Sequence, residues 1–136
     1  MNARILVADD DADLREIVRL TLQRDGYDVI EAADGDQAVA RALDSAPSLI
    51  LLDLLMPGTD GFDACRRLKS DARTFGVPVI FISGQRDPRA RAQVLQLGAE
   101  DYLDKPLIPR DLCWRVRLVI QRRKINMPFN GGSAKS

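Results

Sequence analysis

Five short apolar runs recur along the chain at Ile5 to Ala8, Val29 to Ala32, Leu49 to Leu52, Val79 to Ile82 and Tyr102 to Leu103, each followed by turn residues and a helical apolar period. Strands that alternate one by one with helices form a parallel sheet, because parallel neighbours need a crossover long enough to hold a helix. Leu49-Ile50-Leu51-Leu52 is apolar on both faces, as a strand covered by helices on both sides must be. The expectation is an α/β fold: a doubly wound open sheet of five parallel strands. With 136 residues there is room for one such domain and no second of similar size. It is expected over 1–125, with 126–136 a flexible tail or truncated linker.

Punctuation marks the helices. The first presents Leu14, Ile17, Val18, Thr21 and Leu22 on one face and ends before Gly26. In the second, Asp34 is the expected cap, with Gln37 reaching back as in a capping box, and the helix stops before Pro47. Asp60-Gly61 precedes the third helix, with Asp60 read as a cap and Phe62, Cys65 and Leu68 as its apolar residues; Asp87-Pro88 and Pro109 open the fourth and fifth. In the fifth, Leu112, Val116, Val119 and Ile120 form the stripe toward the sheet, leaving Trp114, Leu118 and Ile125 opposite.

Composition removes several kinds of chemistry. The chain has no histidine, so imidazole metal sites, Ser-His-Asp and Cys-His catalysis and a phosphohistidine carrier role are excluded. Cys65 and Cys113 lie far apart, without metal-like spacing, and are read as reduced structural residues. No apolar run approaches the ~18 residues of a membrane span, and MNARILVADD does not resemble a signal peptide, so a cytoplasmic protein without membrane contact is expected. The formal net charge of zero hides a dipole: residues 1–61 carry 13 acidic against 5 basic side chains, and residues 62–136 carry 7 against 15. Such a distribution favours protein partners over direct binding of nucleic acid.

In an open α/β sheet the ligand site lies beyond the C-terminal ends of the strands. Those ends carry Asp9-Asp10-Asp11, Asp53, Ser83-Gly84 and Lys105-Pro106. Clustered carboxylates repel one another unless a cation sits among them, and oxygen-only ligands select hard ions such as Mg²⁺ or Mn²⁺. Such an ion leaves coordination positions for phosphate oxygens, and Lys105 adds a second positive charge, so the cluster suits phosphoryl chemistry. Taken alone, the Asp9 to Asp13 stretch reads first as capping for the first helix, which is how most Asp clusters before helices behave. An acid directly after an apolar strand, flanked by Ser83 and Lys105 on later strands, is what favours the site.

The motifs VADDD, LLDLLMPGTDG, FISG and GAEDYLDKP, in this order over residues 4 to about 124, resemble the receiver domain of two-component response regulators. The resemblance implies strand order 2-1-3-4-5 and a phosphoacceptor at Asp53. It places Mg²⁺ on Asp10, Asp53 and the Leu55 carbonyl, with Asp9 reaching it through water. Lys105 would pair with phosphoryl oxygens, Ser83 and Tyr102 would be the hydroxyl and aromatic switches, and Gly84 would leave space beside the acceptor. The Lys105-Pro106 bond would be cis. Without that context Tyr102 reads as packing.

The phosphoryl donor implied is a histidine kinase or phosphotransfer protein, and the chain would catalyse only its own phosphorylation and slow dephosphorylation. Leu55 and Gln85 stand where the family influences dephosphorylation; since Leu55 cannot hydrogen-bond a water, a slow-decaying phosphoform is expected. Ile108 replaces the capping residue that many relatives place before the fifth helix. Arg91, Asp101, Asp111 and Arg115 resemble salt-bridging residues of a symmetric receiver dimer. With Trp114 and Leu118 they define an expected partner face for a phosphorylation-promoted homodimer, and an output domain beyond Ser136 is a further possible partner.

Three other functions compete. A flavodoxin-like cofactor binder needs a Ser/Thr/Gly-rich phosphate cradle where this chain has three aspartates. An Asp-nucleophile phosphohydrolase needs a second acid two positions after the nucleophile, and Leu55 stands there. A degenerate receiver, acting as a constitutive docking module, would lack Asp10, Asp53 or Lys105, and all three are present.

Overall fold

The computed structural model describes residues 2–84 and 88–126, the last three of these by their backbone alone. Five strands and five helices alternate: β1 (Arg4–Ala8), α1 (Ala12–Arg24), β2 (Asp28–Ala32), α2 (Gly35–Ser45), β3 (Leu49–Asp53), α3 (Gly61–Lys69), β4 (Val79–Ser83), α4 (Pro88–Gln96), β5 (Asp101–Asp104) and α5 (Pro109–Asn126). The strands form one sheet in the order β2-β1-β3-β4-β5, every pair parallel. Fold class and strand order are as expected.

Strand periodicity divides the core into two layers. Leu6, Ala8, Ile50, Leu52 and Phe81 point to one side, where residues of α2, α3 and α4 cover them. Ile5, Val7, Leu49, Leu51, Ile80 and Ile82 point to the other, against Val18 and Leu22 of α1 and Leu112, Val116, Val119 and Ile120 of α5. All five residues of β3 are buried, which explains its lack of alternation.

Local chemistry sets the helix ends. Asp11, rather than the whole acidic stretch, caps α1 by accepting from the amides of Asp13 and Leu14. At its other end Gly26 has φ +95°, and the Gly26 and Tyr27 amides donate to the Gln23 and Leu22 carbonyls in a Schellman closure. Asp34 caps α2 through the Gln37 amide, but Gln37 returns the bond to the Ala33 N–H, one residue before its expected target. Asp60 caps α3 through Asp63 N–H. Asp87, expected with Pro88 to open α4, lies outside the described residues, as does the expected tail over 127–136.

The expected apolar face of α1 needs correction. Val18 and Leu22 are buried and Leu14 and Thr21 half-buried, but Ile17 is 56% exposed. At 100° per residue Ile17 stands well over a quarter-turn from the centre of the Val18-Leu22 stripe, on the side toward α5, where it lines an open cavity with Thr21, Leu107 and Leu112. On α5 the inward stripe is as read and Trp114 faces solvent, whereas Leu118 is half-buried instead of fully opposite; the Ile125 side chain lies outside the described residues. Both cysteines are free thiols. Among the described residues no helix is long and apolar enough to cross a membrane.

Candidate functional site

Register brings the acids together. Ala8 pairs with Leu52 across β1 and β3, so the next residue of each chain segment, Asp9 and Asp53, emerges side by side at the C-terminal sheet edge. Ser83 ends β4 opposite Asp104 of β5, one residue before Lys105, whose amide donates to the Ser83 carbonyl at 2.8 Å. The Lys105-Pro106 peptide is cis. Asp9, Asp53 and Ser83 are buried while Asp10 is exposed, so the cluster is open on one side only.

Lys105 Nζ lies 2.9 Å from Asp9 Oδ2 and 3.4 Å from Asp53 Oδ2. Asp9 Oδ1 accepts from the Asp11 amide at 2.9 Å, and Asp53 Oδ1 receives a long bond from the Leu55 amide at 3.4 Å. Despite its ion pair, Asp9 Oδ2 accepts no hydrogen bond of good geometry. Burial, and then the charge of Asp9, push the Asp53 carboxyl up to about 6, against the opposing pull of Lys105 and the Leu55 amide. Burial alone would lower the Lys105 ammonium, but its contacts with Asp9 and Asp53 outweigh burial and raise it.

Carboxylate oxygens of Asp9, Asp10 and Asp53 come within 4.8 Å of one another. One ammonium cannot neutralise three acids, one buried oxygen lacks a directed donor, and burial together with the charge of Asp9 makes the ionised Asp53 costly, its carboxyl raised to about 6. A small divalent cation answers all three conditions with oxygen donors alone. The residues present therefore fit Mg²⁺ or Mn²⁺.

The response regulator receiver domain model matches residues 5–117. The chain belongs to this family. It is 38% identical over 130 residues to the transcriptional regulatory protein ResD of Bacillus subtilis, covering 96% of this chain and 53% of that protein. With the phosphate regulon transcriptional regulatory protein PhoB of Pseudomonas aeruginosa it shares 41% over 118 residues, 87% of this chain and 52% of the relative. The chain thus spans about half the length of these curated relatives. The solved chemotaxis protein CheY4 of Vibrio cholerae superposes with a TM-score of 0.83 at 29% identity, over 88% of this chain and 99% of that one. Receiver domains are parts of signalling proteins rather than conventional enzymes.

Tyr102 of this receiver is buried in β5, with the Arg91 guanidinium 5.7 Å from its ring centroid. Arg115 pairs within the same chain with Asp101 at 2.7 Å and Asp111 at 3.4 Å. Leu55 and Trp114 are exposed, Leu118 is half-buried, and a Cβ added to Gly84 would meet nothing within 4 Å. Gln85 lies outside the described residues.

Several contributors are silent in the motifs. Arg15 of α1 donates to the Asp9 carbonyl, and Asp36 of α2 accepts from Thr59 and Arg67, tying the segment after β3 to two helices. Gly61 leaves room for the Asp53 carbonyl to pass. An arginine near the positive end of a helix was the one available signal for Arg15.

Proposed function

We propose that Asp53 accepts a phosphoryl group, in a Mg²⁺-dependent reaction, from a histidine kinase or phosphotransfer protein. The observation that carries this is the buried Asp53 carboxylate beside Lys105 and within reach of Asp9 and Asp10. A carboxylate oxygen of Asp53 forms the new O–P bond as the donor's N–P bond breaks, and the imidazole nitrogen keeps the electron pair. Asp10, Asp53 and the Leu55 carbonyl would hold Mg²⁺ directly and Asp9 through water, and the ion would neutralise charge on the phosphoryl oxygens. Lys105 exchanges its carboxylate partners for phosphoryl oxygens. Ser83 then meets the new dianion, and Tyr102 relays the change toward α4, β5 and α5.

Incubation with acetyl phosphate and Mg²⁺ tests this. The expected wild-type product carries one hydroxylamine-sensitive phosphoryl group, while Asp53→Asn and chelator-treated wild type carry none. A phosphoryl group retained by Asp53→Asn would falsify the assignment.

The reading extends to a unit of residues 1–125 followed by a linker toward an output domain, in a cytoplasmic signalling protein. We further propose that the face of Arg91, Asp101, Asp111, Trp114, Arg115 and Leu118 forms a homodimer after phosphorylation. Supporting it, Trp114 is 54% exposed there, and the Arg115 ion pairs can be exchanged between copies. Sedimentation with beryllofluoride and Mg²⁺ should show a dimer that the Trp114→Ala/Arg115→Ala variant fails to form. A monomer at high micromolar concentration in the activated wild type rules it out.

A further inference from the structure

Arg15 stands where a helix gives a cation least reason to be. It is the fourth residue of α1, just behind the Asp11 cap, at the positive end of the helix dipole. Its side chain is nevertheless only 18% exposed. Nη1 donates to the main-chain carbonyl of Asp9 at 2.6 Å, and Nε donates to Glu31 Oε1 of β2 at 3.2 Å. The other oxygen of Glu31 lies 3.2 Å from Arg19 Nε, so its carboxylate is gripped from both sides.

The beneficiary is Asp9. Its amide donates to the Ala32 carbonyl at 3.1 Å, Oδ1 accepts from the Asp11 amide, and its carbonyl accepts from Arg15. With these three points held, Oδ2 faces Lys105 and the acidic cluster. Two of the three restraints come from neighbouring backbone; the third comes from a side chain that touches none of the clustered carboxylates. The Asp9 carbonyl and the Asp10 amide share one rigid peptide plane, so holding that oxygen also orients the start of Asp10, the exposed member of the cluster.

We propose that Arg15, anchored by Glu31, is a positioning residue for divalent-cation binding. It fixes the Asp9-Asp10 peptide so that both carboxylates face one ion, while Glu31 keeps the guanidinium on the carbonyl and away from the acids. The inference rests on the reading of the cluster as a metal site. It requires an arginine, because one rigid fork offers donors to two acceptors at once, whereas lysine brings a single point charge.

Calorimetric Mg²⁺ titration of the whole chain, well below each variant's unfolding midpoint, supplies the test. Arg15→Met should bind Mg²⁺ about tenfold more weakly than wild type, the scale of losing a partner that orients a ligand. Arg15→Lys should fall between them and Glu31→Gln should shift in the same direction by less. Arg66→Ala, which removes only an exposed α3 ion pair, should match wild type. With a small-molecule phosphoryl donor, the half-saturating Mg²⁺ concentration should rise by the same factor, while the rate at saturating Mg²⁺ stays at the wild-type value. The inference is overturned if Arg15→Met binds within twofold of a Mg²⁺-binding wild type, or if the saturated rate falls as far as the affinity. Should Arg15→Met not fold, Arg15→Lys and Glu31→Gln are judged by the same two criteria. A wild type that binds no Mg²⁺ overturns the metal-site reading itself.

Discussion

In chelator at pH 7.5, Asp53→Asn is expected to be more stable than wild type by about 2–3 kcal/mol, although it destroys the proposed phosphoacceptor. Burial and the neighbouring charge of Asp9 raise the folded carboxyl to about 6 from an ordinary value of 3.8. Between those values the native state binds more protons than the unfolded chain, so this group's contribution to stability falls as pH rises through the window. Above pH 6 the full penalty is present, and below about 4 it is absent in both proteins. Urea unfolding at pH 4 and pH 7.5 should therefore show a difference between the two proteins that is small in acid and large near neutrality. Added Mg²⁺ should narrow the gap by stabilising wild type preferentially, since an amide is a poorer ligand than a carboxylate. Equal stability of the two proteins at pH 7.5 in chelator would show that Lys105 already neutralises Asp53 fully.

That penalty is located at one strand end, and its position is legible in the residues. A carboxylate that follows Leu49-Ile50-Leu51-Leu52 without a break must sit where helices cover both faces, and β3 runs through Asp53 as a fully buried strand. The Ala8–Leu52 register then places Asp9 beside it. Positions one step removed were harder to see. Arg15 and Glu31 are 16 residues apart and meet only because β2 lies next to β1, a relation that no local spacing reveals. Ile17 departs from its expected burial for a related reason: a helical period gives a direction, but the width of the covered stripe depends on how closely α5 and the segment after β5 approach α1, and beside Ile17 they leave a cavity. Gln37 closes on Ala33 instead of Asp34, since the pattern of a capping box does not specify which of two adjacent amides its side chain reaches.

The second large effect is expected at Gly61, where the need for glycine is space and not backbone freedom. A Cβ there would stand 2.5 Å from the Asp53 carbonyl oxygen and 2.8 Å from Leu54 Cα, closer than nonbonded atoms approach. Both neighbours are main chain, so no side-chain rotation relieves the clash. The Gly61 amide also donates to the Leu54 carbonyl at 2.9 Å, so α3 cannot retreat without losing that bond. Gly61→Ala should therefore cost about 3 kcal/mol or more, at the upper end of overpacking. Gly58 provides the contrast: its φ is +74°, but a Cβ would meet nothing within 4 Å, so Gly58→Ala should cost only the left-handed penalty of about 1–2 kcal/mol. Strain at Gly61 lands on the peptide that carries Asp53, so the alanine variant should also lose phosphorylation under conditions where it remains folded. Gly58→Ala should retain it. Chemical denaturation paired with acetyl phosphate labelling checks both parts, and a Gly61→Ala protein within about 1 kcal/mol of wild type would mean that the segment after β3 yields more readily than its backbone contacts imply.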